Sequence, residues 1–113
     1  MGDHEWADEL GVAITVCDRE GIIIEMNEAS RAVFVKYGGA ALLGTNVLDC
    51  HPEPARTQLA RMLAEGTTNT YTIEKNGKKK LIYQTPWKRD GRVMGLVEIS
   101  LPLPDDLAHH RRD

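Results

Sequence analysis

The stretch TNTYTIEKNGKKKLIYQTPWKRDGRVMGLVEISLPL, residues 68–103, decides the fold. Three runs rich in β-branched and aromatic residues are separated by Asn76-Gly77 and Asp90-Gly91. Both dipeptides favour tight turns with positive φ, the geometry that joins antiparallel strands, so the stretch predicts a three-stranded meander. Side chains alternate between faces along each strand. Leu81, Tyr83 and Trp87 therefore share one face of the middle strand, and Val93, Val97, Ile99 and Leu101 share a face of the last. This apolar set reads as the core face, which leaves Met94 and Leu96 on the outer one.

Upstream of the meander the pattern is helical. In LDCHPEPAR, residues 48–56, Pro52 and Pro54 fit only the first turn of a helix. Ala55, Leu59, Met62 and Leu63 then fall on one face, and Gly66 closes the helix. His51 precedes a proline and is held extended, so Asp49 or His51 is expected to accept the amide donors freed at the helix start. AALLGTNVLDC, residues 40–50, reads as short helical turns broken at Gly44. EASRAVFVKYGG, residues 28–39, reads as a helix capped by Asn27 and ended by Gly38 and Gly39.

Two further β-rich runs, Val12–Cys17 and Ile22–Met26, precede it and are joined by Asp18-Arg19-Glu20-Gly21, a hairpin signal. WADELG, residues 6–11, is a short amphipathic helix. Two strands, a block of short helices and three strands make an α+β pattern around one antiparallel sheet. The chain divides into an N-terminal helix and dimerisation segment, 1–11, a domain over 12–103, and a polar flexible tail, 104–113.

The bulk properties narrow the function. At 113 residues the chain is one domain, large enough to bury a core without metal or disulfide staples. Its net charge of −3 argues against nucleic-acid binding. No apolar run is long enough to cross a membrane, and MGDHEWADEL lacks the features of a signal peptide. With two cysteines in unrelated segments, the expectation is a reduced cytoplasmic protein.

Three segments in this order, AITVCDREGIIIEMNEAS, LLGTNVLDCHPE and GRVMGLVEISLPL, resemble the PAS domain, the bacterial sensor module. Cys50-His51-Pro52 is similar to the subgroup that carries Cys-His-Pro at the start of the long helix. The resemblance implies a five-stranded antiparallel sheet in order 2-1-5-4-3, with short helices enclosing a small cavity against one face. It also implies a role in sensing, through a small-molecule ligand or through protein–protein contact, rather than in turnover. Phe34, Tyr37, Leu43, Asn46, Val47, Cys50, His51, Leu59, Tyr83 and Trp87 are the cavity candidates it suggests.

Cofactor residues separate the PAS subclasses. Flavin-binding light sensors carry Gly-x-Asn-Cys, whereas GTNVL has Val47 at the reactive position, so no flavin adduct is expected. One haem subclass reads PEPxRxxH, and Leu59 stands where its histidine would be. A haem or redox sensor using His51 or Cys50 therefore remains as the alternative, with either residue as the iron ligand in the haem case, and no other metal is expected. Cys50 and His51 do not make a catalytic dyad, because adjacent side chains diverge and His4, His109 and His110 are terminal. Trp6, Leu10, Met94 and Leu96 lack a partner in a single PAS core, so the chain is expected to be a homodimer through them. A signalling partner protein would receive the output.

Overall fold

The computed structural model describes residues 4–113, with the side chain of Cys50 outside the description. The elements follow as α1 (Glu5–Asp8), β1 (Ala13–Asp18), β2 (Ile23–Met26), α2 (Glu28–Val33), α3 (Ala55–Glu65), β3 (Asn69–Lys75), β4 (Lys78–Arg89) and β5 (Arg92–Leu103). Single 3-10 turns at Val35–Tyr37, Gly39–Leu42 and Val47–Cys50 fill the segment between α2 and α3. All five strands form one antiparallel sheet in the order β2-β1-β5-β4-β3.

Local chemistry sets the turns. Asn76 and Asp90 both take positive φ, each followed by a glycine that does the same, which turns β3 into β4 and β4 into β5. The first hairpin is held by Asp18, whose Oδ1 accepts from the amides of Glu20 and Ile22, each at 2.9 Å. Asn27 does more than cap α2. Its Oδ1 accepts from Ser30 N at 3.0 Å and Ile14 N at 2.9 Å, while Nδ2 donates to the carbonyls of Ala7 and Val12. One buried amide thus ties α1, β1 and α2 together, and burial without these partners would cost it dearly.

The register shows which side chains share a face, because directly paired residues point the same way. Ala13, Ser100 and Ile82 form one row, Thr15, Glu98 and Gln84 the next, and Cys17, Leu96 and Pro86 the third. Leu96 is 5% exposed and joins Cys17, Leu59, Met62 and Leu63 in the buried cluster under α3. This is the covered face.

The opposite face carries Ile14, Ile99 and Tyr83 in one row, Val16, Val97 and Thr85 in another, and the pair Leu81 and Leu101. The sequence expectation grouped Leu81, Tyr83, Val97, Ile99 and Leu101 correctly but assigned the faces the wrong way round, and it misplaced Val93, which pairs with Lys88 and reaches Gly66 at the end of α3. Leu96 is core, not outer surface, and Leu81, Tyr83, Val97, Ile99 and Leu101 lie on the face away from α3. Met94 is the extra residue of a β-bulge where Trp87 pairs with Gly95 and Lys88 with Val93. Trp87 crosses Gly95, and its Nε1 donates to the Cys17 carbonyl at 3.0 Å. A Cβ on Gly95 would run into that same carbonyl oxygen.

Candidate functional site

A cavity of about 660 Å³ lies between the covered face of the sheet and the helical segment. Its size is within the usual range for small-molecule sites. Val33, Phe34 and Tyr37 line it from α2 and the turn that follows, and Val47, His51 and Leu59 line it from the segment entering α3. The floor is the sheet itself.

Five of the sequence candidates meet there: Phe34, Tyr37, Val47, His51 and Leu59. Four do not. Tyr83 and Trp87 belong to the other face, since each is one residue out of phase with Ile82 and Gln84. Leu43 borders a separate depression of about 540 Å³ beneath α1, together with Ala7, Ile14 and Ile24. Asn46 is spent on structure: its Oδ1 accepts from Leu48 N at 2.9 Å and its Nδ2 donates to the Glu20 carbonyl. Cys50 lies outside the described side chains.

The helix start differs from expectation as well. His51 Nδ1 donates to the Val47 carbonyl at 2.7 Å and does not cap α3. Glu53 does that work, its Oε1 accepting from both the amide and the hydroxyl of Thr57 at 3.0 and 2.6 Å. Those two bonds hold the Glu53 carboxyl below its ordinary range. The choice follows from reach, because a side chain four residues before Thr57 can fold back onto the first free amides.

The floor holds the polar residues that pattern reading missed. Asn69 Nδ2 donates to Gln84 Oε1 at 3.2 Å, and Gln84 Nε2 donates to Glu98 Oε1 at 2.7 Å. This row crosses β3, β4 and β5 at one level, with Gln84 buried. Thr15 Oγ1 and Ser30 Oγ pair at 2.6 Å at the β1 end. Tyr71 lines the cavity from β3, and partial burial with the nearby Glu98 charge pushes its phenol up. Cys17 also lines it, and burial raises its thiol despite the Leu96 backbone hydrogen bond. A raised thiol is a poor nucleophile at neutral pH. The missed signal was the alternation Leu96-x-Glu98-x-Ser100, polar residues on the same face as a core leucine.

Among the described residues no cluster of three His, Cys, Asp or Glu side chains could hold a metal ion. No described helix is long and apolar enough to cross a membrane. Haem needs only one protein ligand, and His51, which lines the cavity, is a described side chain that could supply it. The Val47 bond assigns the proton to Nδ1, which leaves Nε2 with the lone pair in the neutral ring.

The PAS fold family model matches residues 7–103. The solved structures that resemble the chain include the Aer2 receptor of Vibrio cholerae, described as a dual PAS-haem oxygen sensor. It has 18% identity and a TM-score of 0.61, over 82% of this chain and 95% of that one. A sensory box sensor histidine kinase from Vibrio cholerae has 19% identity and a TM-score of 0.60, over 90% of this chain and 89% of that one. The VqmA dimer of Vibrio cholerae has 15% identity and a TM-score of 0.65, over 87% of this chain but only 48% of that one. No curated protein matches the sequence. These identities speak for fold alone, but the family match runs from α1 through the last residue of β5, and the chain belongs to the PAS fold family.

Proposed function

We propose that the chain is a sensory module of a signal-transduction system that takes a small ligand in its cavity and passes the signal through a homodimer to a partner protein. The observation that carries the reading is the cavity of about 660 Å³, which the sheet floors and α2, α3 and their connecting turns cover. Its lining joins buried apolar residues such as Leu59, Ile82 and Leu96 to exposed ones such as Tyr37 and Tyr71, the arrangement of a site that a ligand can enter from solvent. The dimer is supported by the outer face, where Tyr83 and Leu101 remain 39% and 38% exposed beside Val97 and Ile99. Trp6, 70% exposed on α1, extends the apolar surface.

Thermal unfolding across a library of small metabolites tests the ligand. A compound at a hundred times its Kd should add about 2.7 kcal/mol of stability. A library without a stabilising compound, together with a ligand-free native mass spectrum of the purified protein, would count against the reading.

A second reading follows from His51 alone. Its oriented imidazole, with Nε2 as the lone-pair nitrogen, suits a single axial haem ligand. Haem titration of wild type beside His51→Ala tests it. A stoichiometric Soret band lost in the variant would favour a haem sensor over the organic-ligand module.

A further inference from the structure

The cavity floor carries an acceptor without a matching donor. Glu98 Oε1 is bonded by Gln84, and among the described residues no protein donor reaches Oε2. Among the described residues no ion pair neutralises the carboxylate either. Lys75 and Lys80 also line the cavity, but the Lys80 backbone is four residues along β4 from that of Gln84, roughly 13 Å at strand spacing, and Lys75 pairs with Lys78 still nearer the turn. Gln84 is fixed as a donor toward Glu98 because Asn69 already donates to its carbonyl oxygen. The row Asn69–Gln84–Glu98 therefore ends in an oriented, half-buried carboxylate with one oxygen open to the cavity. Around it the walls are apolar: Ile82 and Leu96 from the sheet, Leu59 and Phe34 from the helical side.

We propose that the cavity selects a small organic cation, a protonated amine that donates to Glu98 while its apolar body lies between Ile82, Leu96, Leu59 and Phe34. The assignment rests on the ligand-pocket reading and names the chemical class that pocket takes. A charged donor is favoured over a neutral one because a charge-assisted hydrogen bond is about twice as strong, and a partly buried carboxylate gains most from a partner that offsets its charge. Anions meet the opposite condition at this floor.

The test is an amide-resolved NMR titration of the full chain with three probes of one shape: 2-phenylethylamine, 2-phenylethanol and 3-phenylpropionate. The inference expects shifts centred on Gln84 and Glu98, with the amine binding about tenfold more tightly than the alcohol and the acid binding least. Glu98→Gln, which keeps the Gln84 partner, should bring amine and alcohol to equal affinity. Alcohol or acid binding in the cavity as tightly as the amine overturns the cation assignment and leaves the pocket reading standing. No cavity shift with any probe overturns both. Should Glu98→Gln fail to fold, the order of the three probes on wild type decides by itself.

Discussion

The two faces of the sheet invert the usual relation between polarity and cover. The covered face carries Thr15, Gln84, Glu98 and Ser100 among its apolar residues, whereas the open face carries Ile14, Val16, Val97, Ile99, Leu81 and Leu101 beside Tyr83 and Thr85. In an ordinary half-solvated sheet the apolar row packs on the core and the polar row meets water. Here the covered row borders a cavity, where Thr15–Ser30 and Asn69–Gln84–Glu98 hydrogen bonds satisfy all of these groups but the outer Glu98 oxygen and Ser100. The open row leaves apolar side chains such as Tyr83 and Leu101 exposed. Period two reveals that a strand has two faces, but in a cavity-bearing fold it does not say which is inside.

That inversion gives unequal costs to equal substitutions. Leu96→Ala opens space in the cluster with Cys17, Leu59, Met62 and Leu63 and should cost about 2–5 kcal/mol in urea unfolding. Leu101→Ala, on the open face, should cost under about 1 kcal/mol in dilute solution, since most of its surface already meets water or a half-exposed neighbour. Equal costs would erase the distinction between the faces.

A somewhat smaller effect is expected where the faces meet. Gly95→Ala puts a methyl group against the Cys17 carbonyl and the Trp87 indole, so β1 or Trp87 must shift. The expected loss is about 1–3 kcal/mol, the range for overpacking, and the Trp87 fluorescence band should move with it. A neutral substitution would show that the indole does not cross the sheet as described.

The smallest effect is one of pH. Burial raises the Cys17 thiol above its ordinary value near 9.0, so the folded state favours the protonated form. Its contribution to stability is complete below that ordinary value and is lost as pH rises from there through the raised folded value. In a Cys50→Ser background, disulfide-exchange labelling of Cys17 at pH 8 should be slower than for an unfolded control and should accelerate only at higher pH. Labelling as fast as the control would mean that the floor near Leu96 is open to solvent.

Much of the fold was legible from short-range chemistry. Asn76-Gly77, Asp90-Gly91 and Asn27 act within two to four residues, and strand order and element sequence followed from them and from the family resemblance. Half of the site was legible too, because Phe34, Tyr37, Val47, His51 and Leu59 are ordinary lining residues on recognisable elements. The rest depends on pairing across strands distant in sequence. Gln84 and Glu98 each look like misplaced polar residues until β4 and β5 set them side by side. The cap shows the same limit on a small scale: Asp49, His51 and Glu53 all suit a helix start, and only geometry selects Glu53.

Glu98 and Ile99 are neighbours in the chain on opposite faces, so one sedimentation experiment tests both roles. Wild type at tens of micromolar, a concentration suited to interfaces of ordinary affinity, should sediment as a dimer. Ile99→Glu should give a folded monomer, because it sets a charge in the middle of the open apolar face. Glu98→Gln should remain a dimer. A wild-type monomer, or a dimer that survives Ile99→Glu and fails with Glu98→Gln, would contradict the assignment of the two faces.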